Sequence, residues 1–289
     1  RLRKYIHREN IIFSELHIKR HVKPVLKVFS FSVVTSIYLQ LNTVLLGFLK
    51  NTLAVGYFAA ATKVMQMLLT MSACLGSVMM PRASHLIAEN KKDEFNRLIQ
   101  KSYDFTLAIA LPMTIGLIFC APSLITALCG VKFEHSILPS QIIAPIILLV
   151  AISNVFGIQV LFPKGKINIV TFCCCIGAVA DLILNLCLIP FFSYIGTSIA
   201  YLGAEVATTV SMYFIGRRYI PIIYFKKSHL TYALGCIVMA LALYGISLLQ
   251  LPTLTTLLVQ GCCGVLTYFI ILCICKDEML VQILSKIKR

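Results

Sequence analysis

Apolar residues in this chain gather into long runs, and charged residues collect in the short gaps between them. Eight runs, near residues 28–49, 53–80, 104–128, 137–162, 168–190, 194–216, 230–250 and 254–275, reach the roughly 20 residues a helix needs to cross the hydrocarbon of a bilayer. The pattern therefore predicts an all-α fold, a polytopic membrane helical bundle of eight transmembrane helices. Pro112 and Pro122 fall in the third run and Pro139 and Pro145 in the fourth. Neighbouring helices can satisfy the carbonyls that such prolines free, so they do not break the prediction.

The basic residues give the threading a direction. Numbered from the N-terminus, the segment 1–27 and the gaps after the even-numbered runs, with the C-terminal tail, hold 23 of the 26 Lys and Arg residues. The other side holds only Lys50 and Lys132, and Lys63 lies inside the second run. Positive residues stay in the cytoplasm, so both ends are expected there. Composition agrees: 59% of residues are hydrophobic, mean hydropathy is +0.89 and 13% are charged, against about 25% in soluble domains. The net charge of +15 then reads as a topology signal and an attraction to anionic lipid, with no nucleic acid implied. The chain has no Trp, which leaves Tyr and Phe as interfacial anchors.

In the longest cytoplasmic gap, Leu86, Ile87, Phe95, Leu98 and Ile99 recur at helical spacing among charges, and a separate helix lying on the membrane face is expected there. The chain opens on Arg1 in a basic segment, as a piece beginning midway through a larger protein would. Twelve cysteines lie mostly within apolar runs. The "FCCC" of 172–175 turns through about 300° of helix, and no C-x-x-C stands beside His at zinc spacing, so they read as small apolar residues and no metal site. P-loop, H-E-x-x-H and G-x-S-x-G patterns are absent from the sequence, and no enzyme is expected.

Three stretches carry a family resemblance. They are "GSVMMPRASHLIAENKKDEFNRLIQKSYDF" (76–105), "LPMTIGLIFCAPSLITALCGVKF" (111–133) and "DLILNLCLIPFFSYIGTSIAYLGAEV" (181–206). Across about 28–216 the chain resembles Wzx-type O-antigen and polysaccharide flippases, whose superfamily also holds multidrug exporters and the lipid II flippase. Asp181 stands where the family pattern tends to carry Asn. The resemblance implies helices seven to fourteen of a two-lobed transporter, with the first lobe missing. Residues 1–27 would be a cytoplasmic basic segment, 28–216 the second six-helix lobe, and 217–289 two additional helices and a cytoplasmic tail.

Lys63 is the most costly residue in the sequence. A charge near the bilayer centre costs at least about 2.5–3.5 kcal/mol, so Lys63 must face protein or water. Gln66 and Thr70 continue its face at i+3 and i+7. In the family the first two helices of a lobe line the central cavity, so Lys63 and Gln66 are expected to bind substrate, joined by Tyr38 and Asn42, which share a face of the first run with Thr35. The competing reading pairs Lys63 internally with Asp181 or Glu205. Asp181, Asn185 and Glu205 are carboxyl and amide groups within spans, which makes them candidates for ion or proton coupling. The resemblance places Asp181 and Asn185 where some relatives hold sodium. Asp104, at a cytoplasmic helix end, reads as merely interfacial.

The expected function is a flippase that moves a lipid-linked oligosaccharide across the bacterial inner membrane by alternating access. It would need no cofactor beyond Na+ or H+ as the coupling ion. Its partners would be the lipid-linked oligosaccharide, membrane lipids, the missing lobe and polysaccharide polymerase machinery. The alternatives are a cation-coupled multidrug exporter of the same superfamily and a membrane accessory of polysaccharide synthesis.

Overall fold

The boundary between the first two apolar runs is set by Lys50 and Asn51. In the computed structural model, which describes residues 18–224, 226–249 and 251–275, helix α1 (Ile18–Leu49) stops there. Asn51, extended at φ −154° and ψ 168°, caps α2 (Thr52–Ala88) by accepting from the Ala54 N–H at 2.8 Å, a usual N-cap role for Asn. Most of the expected basic segment 1–27, and the tail from Lys276, lie outside the described residues.

The separate surface helix expected around residues 82–101 is not found. Helix α2 continues through Pro81 to Ala88, and α3 (Lys92–Cys129) begins four residues later. Asn90 makes the reversal at φ +57°, a left-handed conformation that Asn tolerates better than most residues. The Glu89 and Lys91 N–H groups close the end of α2 on the carbonyls of His85 and Leu86. Asp93 and Glu94 occupy the first turn of α3, where the helix dipole favours acids. The amphipathic pattern was genuine, but its apolar residues Leu86, Phe95, Leu98 and Ile99 are buried within the protein and do not rest on lipid.

After Gly130 (φ +86°) comes a 3-10 turn, Val131–Ser136. Helices α4 (Ile137–Ile143) and α5 (Ile146–Asn154) follow, then a π-helical turn, Val155–Leu161. The fourth apolar run is thus broken, with a bend of 44° at Ala144–Pro145. Pro145 lacks the N–H that would continue the ladder, and its ring crowds the preceding turn.

Helix α6 (Ile167–Gly216) holds 50 residues. A straight helix of that length would measure about 75 Å, more than twice the roughly 30 Å of a hydrocarbon core. It is instead a hairpin. Ser193 stands at φ 52°, ψ −130°, and there the chain folds back on itself. A Cβ on Gly196 would lie 2.6 Å from the Leu188 carbonyl oxygen, and one on Gly177 would collide with the Thr208 hydroxyl. Only glycine permits so close an approach of the two limbs. The expected fifth and sixth runs are these limbs.

Helices α7 (Lys227–Ser247) and α8 (Thr253–Ile274) pack on each other and on α3. The Tyr268 hydroxyl donates to the Ala108 carbonyl at 2.8 Å, and the Ser123 hydroxyl donates to Gln260 Oε1 at 2.6 Å. Two apolar cores hold the bundle. One gathers Leu46, Phe58, Met65, Ile125, Ile147 and Tyr201. The other, towards the basic end, gathers Phe95, Ile99, Tyr103, Phe156 and Tyr232. Among the described residues, six helices are long and apolar enough to span a membrane, or seven when the bent pair is taken as one span and α6 as a single helix. The structure is therefore an all-helical membrane bundle.

The hairpin contact makes a direct prediction. Gly177→Val in the full-length protein should lower its melting temperature in detergent, as overpacking by about 1–3 kcal/mol does. A matching change at Gly56, whose Cβ position has nothing within 4 Å, should leave it nearly unchanged. Equal melting temperatures for the two variants would show that the limbs do not pack as described.

Candidate functional site: a cationic stripe and a buried carboxylate cluster

Helix α2 divides its residues by face. Phe58, Ala61 and Met65 are buried in the first core, whereas Lys63, Gln66, Met67 and Thr70 are exposed. Lys63 lies about 16 Å along the axis from Thr52, at 1.5 Å per residue, inside the apolar window Thr52–Met71. Among the described residues no acidic group lies within ion-pair distance of it. Internal pairing of Lys63 with Asp181 or Glu205 is not seen in this conformation.

Asp181 has other company. Asn42 on α1 donates from Nδ2 to Asp181 Oδ2 at 3.0 Å. Asn185 Nδ2 lies 3.0 Å from Asp181 Oδ1, 2.9 Å from the Asp181 carbonyl and 2.9 Å from Asn42 Oδ1. All three side chains are buried. The i, i+4 spacing of Asp181 and Asn185 puts both on one face of the first α6 limb, and α1 packs against α6. Turning the Asn185 amide over would set its oxygen against three acceptors, which fixes its orientation. In that orientation Asn185 Oδ1 is buried without a donor, a state that costs about 1–3 kcal/mol.

Glu205, also buried, belongs to the returning limb. Gly177 meets Ala204 and Thr208, and Gly203 meets Leu184. That register sets Glu205 at the level of Asp181. The oxygens collected here, from a carboxylate and two amides, are the donors a hard cation takes. Among the described residues, no three His, Cys, Asp or Glu side chains gather as a metal site would require.

The structure thus sorts the expected site residues into two groups. Lys63 and Gln66 share an exposed stripe. Asn42, expected beside them, lies with Asp181 and Asn185 instead. The Tyr38 side chain lies outside the described residues.

A third cluster escaped sequence reading. Asp104 accepts from Lys226 Nζ at 2.8 Å, His229 Nε2 at 3.0 Å and Gln100 Nε2 at 2.8 Å. Gln100 also accepts from the Ile223 N–H. The expected interfacial carboxylate is the anchor for the segment that leads into α7. The available signal was the i, i+3 spacing of Lys226 and His229, which sets both at the start of one helix face. The second His229 ring nitrogen lies 2.9 Å from the Tyr224 carbonyl.

The described residues thus form a helical membrane bundle with a buried polar cluster and an exposed stripe that carries Lys63. Comparison with known proteins agrees. Residues 4–138 match the family model described as polysaccharide biosynthesis protein. The chain is 25% identical over 196 residues to a putative O-antigen transporter of Escherichia coli (strain K12), covering 68% of this chain and 47% of that protein. It is 27% identical over 181 residues to a putative O-antigen transporter of Shigella dysenteriae, covering 62% and 44%. The chain therefore spans about half the length of these curated relatives.

Among solved structures, the lipid II flippase MurJ in an inward closed conformation superposes with a TM-score of 0.76 at 17% identity, covering 91% of this chain and 56% of that one. A MATE protein in the bent conformation gives 0.60 at 16% identity, covering 76% and 53%. In sequence the chain is similar to these O-antigen transporters, and its fold is similar to those of the lipid II flippase and the MATE protein. Its relatives are transporters and flippases, not enzymes.

The Asp104 anchor makes the second prediction. In solubilised full-length protein, Asp104→Asn should increase the rate of tryptic cleavage at Lys226 severalfold. An unchanged rate would show that the carboxylate does not hold this segment.

Proposed function

We propose that this chain is the second lobe, with two additional helices, of a flippase that moves a lipid-linked oligosaccharide across the bacterial inner membrane by alternating access. Residues 28–216 form the lobe, 217–289 the extra helices and tail, and 1–27 a cytoplasmic basic segment. The bent α4–α5 pair crosses once and the α6 hairpin twice, which gives eight crossings and brings both ends to the basic, cytoplasmic side.

One juxtaposition on α2 carries the reading. Beside the Lys63–Gln66–Thr70 stripe, Leu68 and Met71 open onto an apolar groove of about 490 Å³ between α2, α3, α7 and α8. Pro112, Gly116, Leu243 and Val265 line it. A polyprenyl-linked glycan has an anionic pyrophosphate joined to a long hydrocarbon chain. A lysine at membrane depth attracts the first, and a neighbouring apolar groove accepts the second. The O-antigen transporter relatives favour the same substrate class. A cation-coupled drug exporter, the reading suggested by the MATE neighbours, fits the stripe less well because Lys63 repels organic cations.

The Asn42–Asp181–Asn185 cluster supports coupling to Na+ or H+. Asp181, Asn42 and the unpartnered Asn185 Oδ1 would hold the ion, and either ion would relieve a buried charge that is otherwise solvated only by amides. Glu205, level with Asp181, adds a second group that must be neutralised, paired or ion-bound.

Cells carrying the full-length protein test the stripe through their surface polysaccharide. Lys63→Arg should retain part of the display, because the charge persists. Lys63→Ala should abolish it at normal protein abundance, and adding Asp181→Asn should not restore it, provided that Asp181→Asn alone keeps the display. Restoration by the second substitution would make Lys63 a structural counter-ion and remove it from substrate binding.

A further inference from the structure

At the end of the bundle opposite the basic gaps, two distant segments form a cleft of about 500 Å³. The 3-10 turn and the start of α4 contribute Glu134, His135, Leu138 and Gln141, and the α6 reversal contributes Tyr194 and Ile195. Tyr57, from the second turn of α2, packs against two of the lining rings. Its ring centroid lies 5.2 Å from that of His135 and 5.4 Å from that of Tyr194, with Phe133 behind it at 6.1 Å. The cleft is of ligand-binding size.

Its chemistry differs from that of the apolar groove. Apolar walls alternate with a carboxylate, an imidazole, an amide and two phenols. Among the described residues, the Glu134 carboxylate, the His135 ring nitrogens and the hydroxyls of Tyr57 and Tyr194 make no hydrogen bond to the protein. Gln141 donates from Nε2 to the Ile118 carbonyl at 3.0 Å, which leaves its Oε1 uncommitted. Beside them the Ser136 hydroxyl is buried without a partner. The residue that delivers Tyr194 is Ser193, held at φ +52°. Backbone strain of this kind persists where the surroundings enforce it, and it clusters at ligand clamps.

Several unpaired donors and acceptors around aromatic rings suit a neutral polyol, whose hydroxyls need many partners and whose C–H faces lie against rings. Glu134 disfavours an anion, so the pyrophosphate end of a lipid carrier is excluded here. Lys132, two residues away, offsets the field that a site for organic cations would need. The geometry points to a saccharide subsite formed by Tyr57, Glu134, His135, Gln141 and Tyr194 at the exit end of the lobe, which takes the sugar portion of the glycan while Lys63 holds its phosphates. This rests on the flippase reading, and it adds a second contact whose nearest α2 residue, Tyr57, lies about 9 Å along the helix from Lys63, at 1.5 Å per residue.

Site-specific photocrosslinking in the full-length transporter tests it. A benzoylphenylalanine replaces Leu138, which lines the cleft and is 48% exposed. Gln66 on the stripe and Leu241, 67% exposed on α7, receive the same probe in parallel. Ile195 takes the probe if the Leu138 variant fails to reach the membrane. Cells making their own lipid-linked oligosaccharide are irradiated, and the purified protein is searched by mass spectrometry for adducts bearing sugar increments. The subsite predicts glycan adducts at 138 and 66 and none at 241. It also predicts that Tyr57→Leu with Glu134→Gln reduces the adduct at 138 at least fivefold and spares the one at 66. A glycan adduct at 66 without one at 138, or an adduct at 138 indifferent to the double substitution, overturns the subsite and leaves the flippase reading standing. No glycan adduct at any position overturns both.

Discussion

A carboxylate placed among apolar helices must be solvated by the protein itself, and the placement of Asp181 organises much of this structure. Its oxygens are met by Asn42 from α1 and Asn185 from its own limb of α6. Meeting them requires α1 to lie against α6, and the returning limb must bring Glu205 to the same depth. Removing either partner of such a buried pair costs more than the pair itself contributes. The cluster is thus a structural constraint on how α1 and α6 pack. The residual orphan, Asn185 Oδ1, marks where the solvation is incomplete.

The same physics separates the two faces of α2. One face carries Phe58, Ala61 and Met65 into the core. The other presents Lys63, whose charge could not be sustained against lipid and therefore needs an aqueous or anionic neighbour. The adjoining apolar groove lies between α2, α3, α7 and α8. The Asp104 cluster and the Tyr268–Ala108 and Ser123–Gln260 hydrogen bonds fix those helices in place. Polar stripe and apolar groove are thereby set side by side, an arrangement that supports the proposed lipid-linked substrate.

Much of this architecture was legible in the sequence, because hydrocarbon imposes long apolar helices and the runs report them directly. Even the reversal within α6 was marked, by the gap between the runs ending at 190 and beginning at 194. Other features were not. The amphipathic stretch around Leu86 and Phe95 shows the same periodicity whether its apolar face meets lipid or protein, and only the tertiary packing decides. Asn42 sits on a polar face of α1 with Thr35, which local spacing reveals. Its partner Asp181 is 139 residues away, and no local pattern could supply that pairing. The partners of Asp104 were hidden for the same reason, since Lys226 and His229 lie more than 120 residues downstream.

Reconstitution of the full-length protein in sealed vesicles, with a polyprenyl pyrophosphate oligosaccharide in the bilayer and a Na+ or H+ gradient imposed, measures the proposed activity directly. Glycan should appear on the far leaflet only while one of the gradients is present, as read by an impermeant sugar-oxidising reagent. It should stop appearing with Lys63→Ala. Vesicles that leave the glycan in place under either gradient and instead extrude a cationic dye would contradict a lipid-linked substrate and make the chain part of a drug exporter.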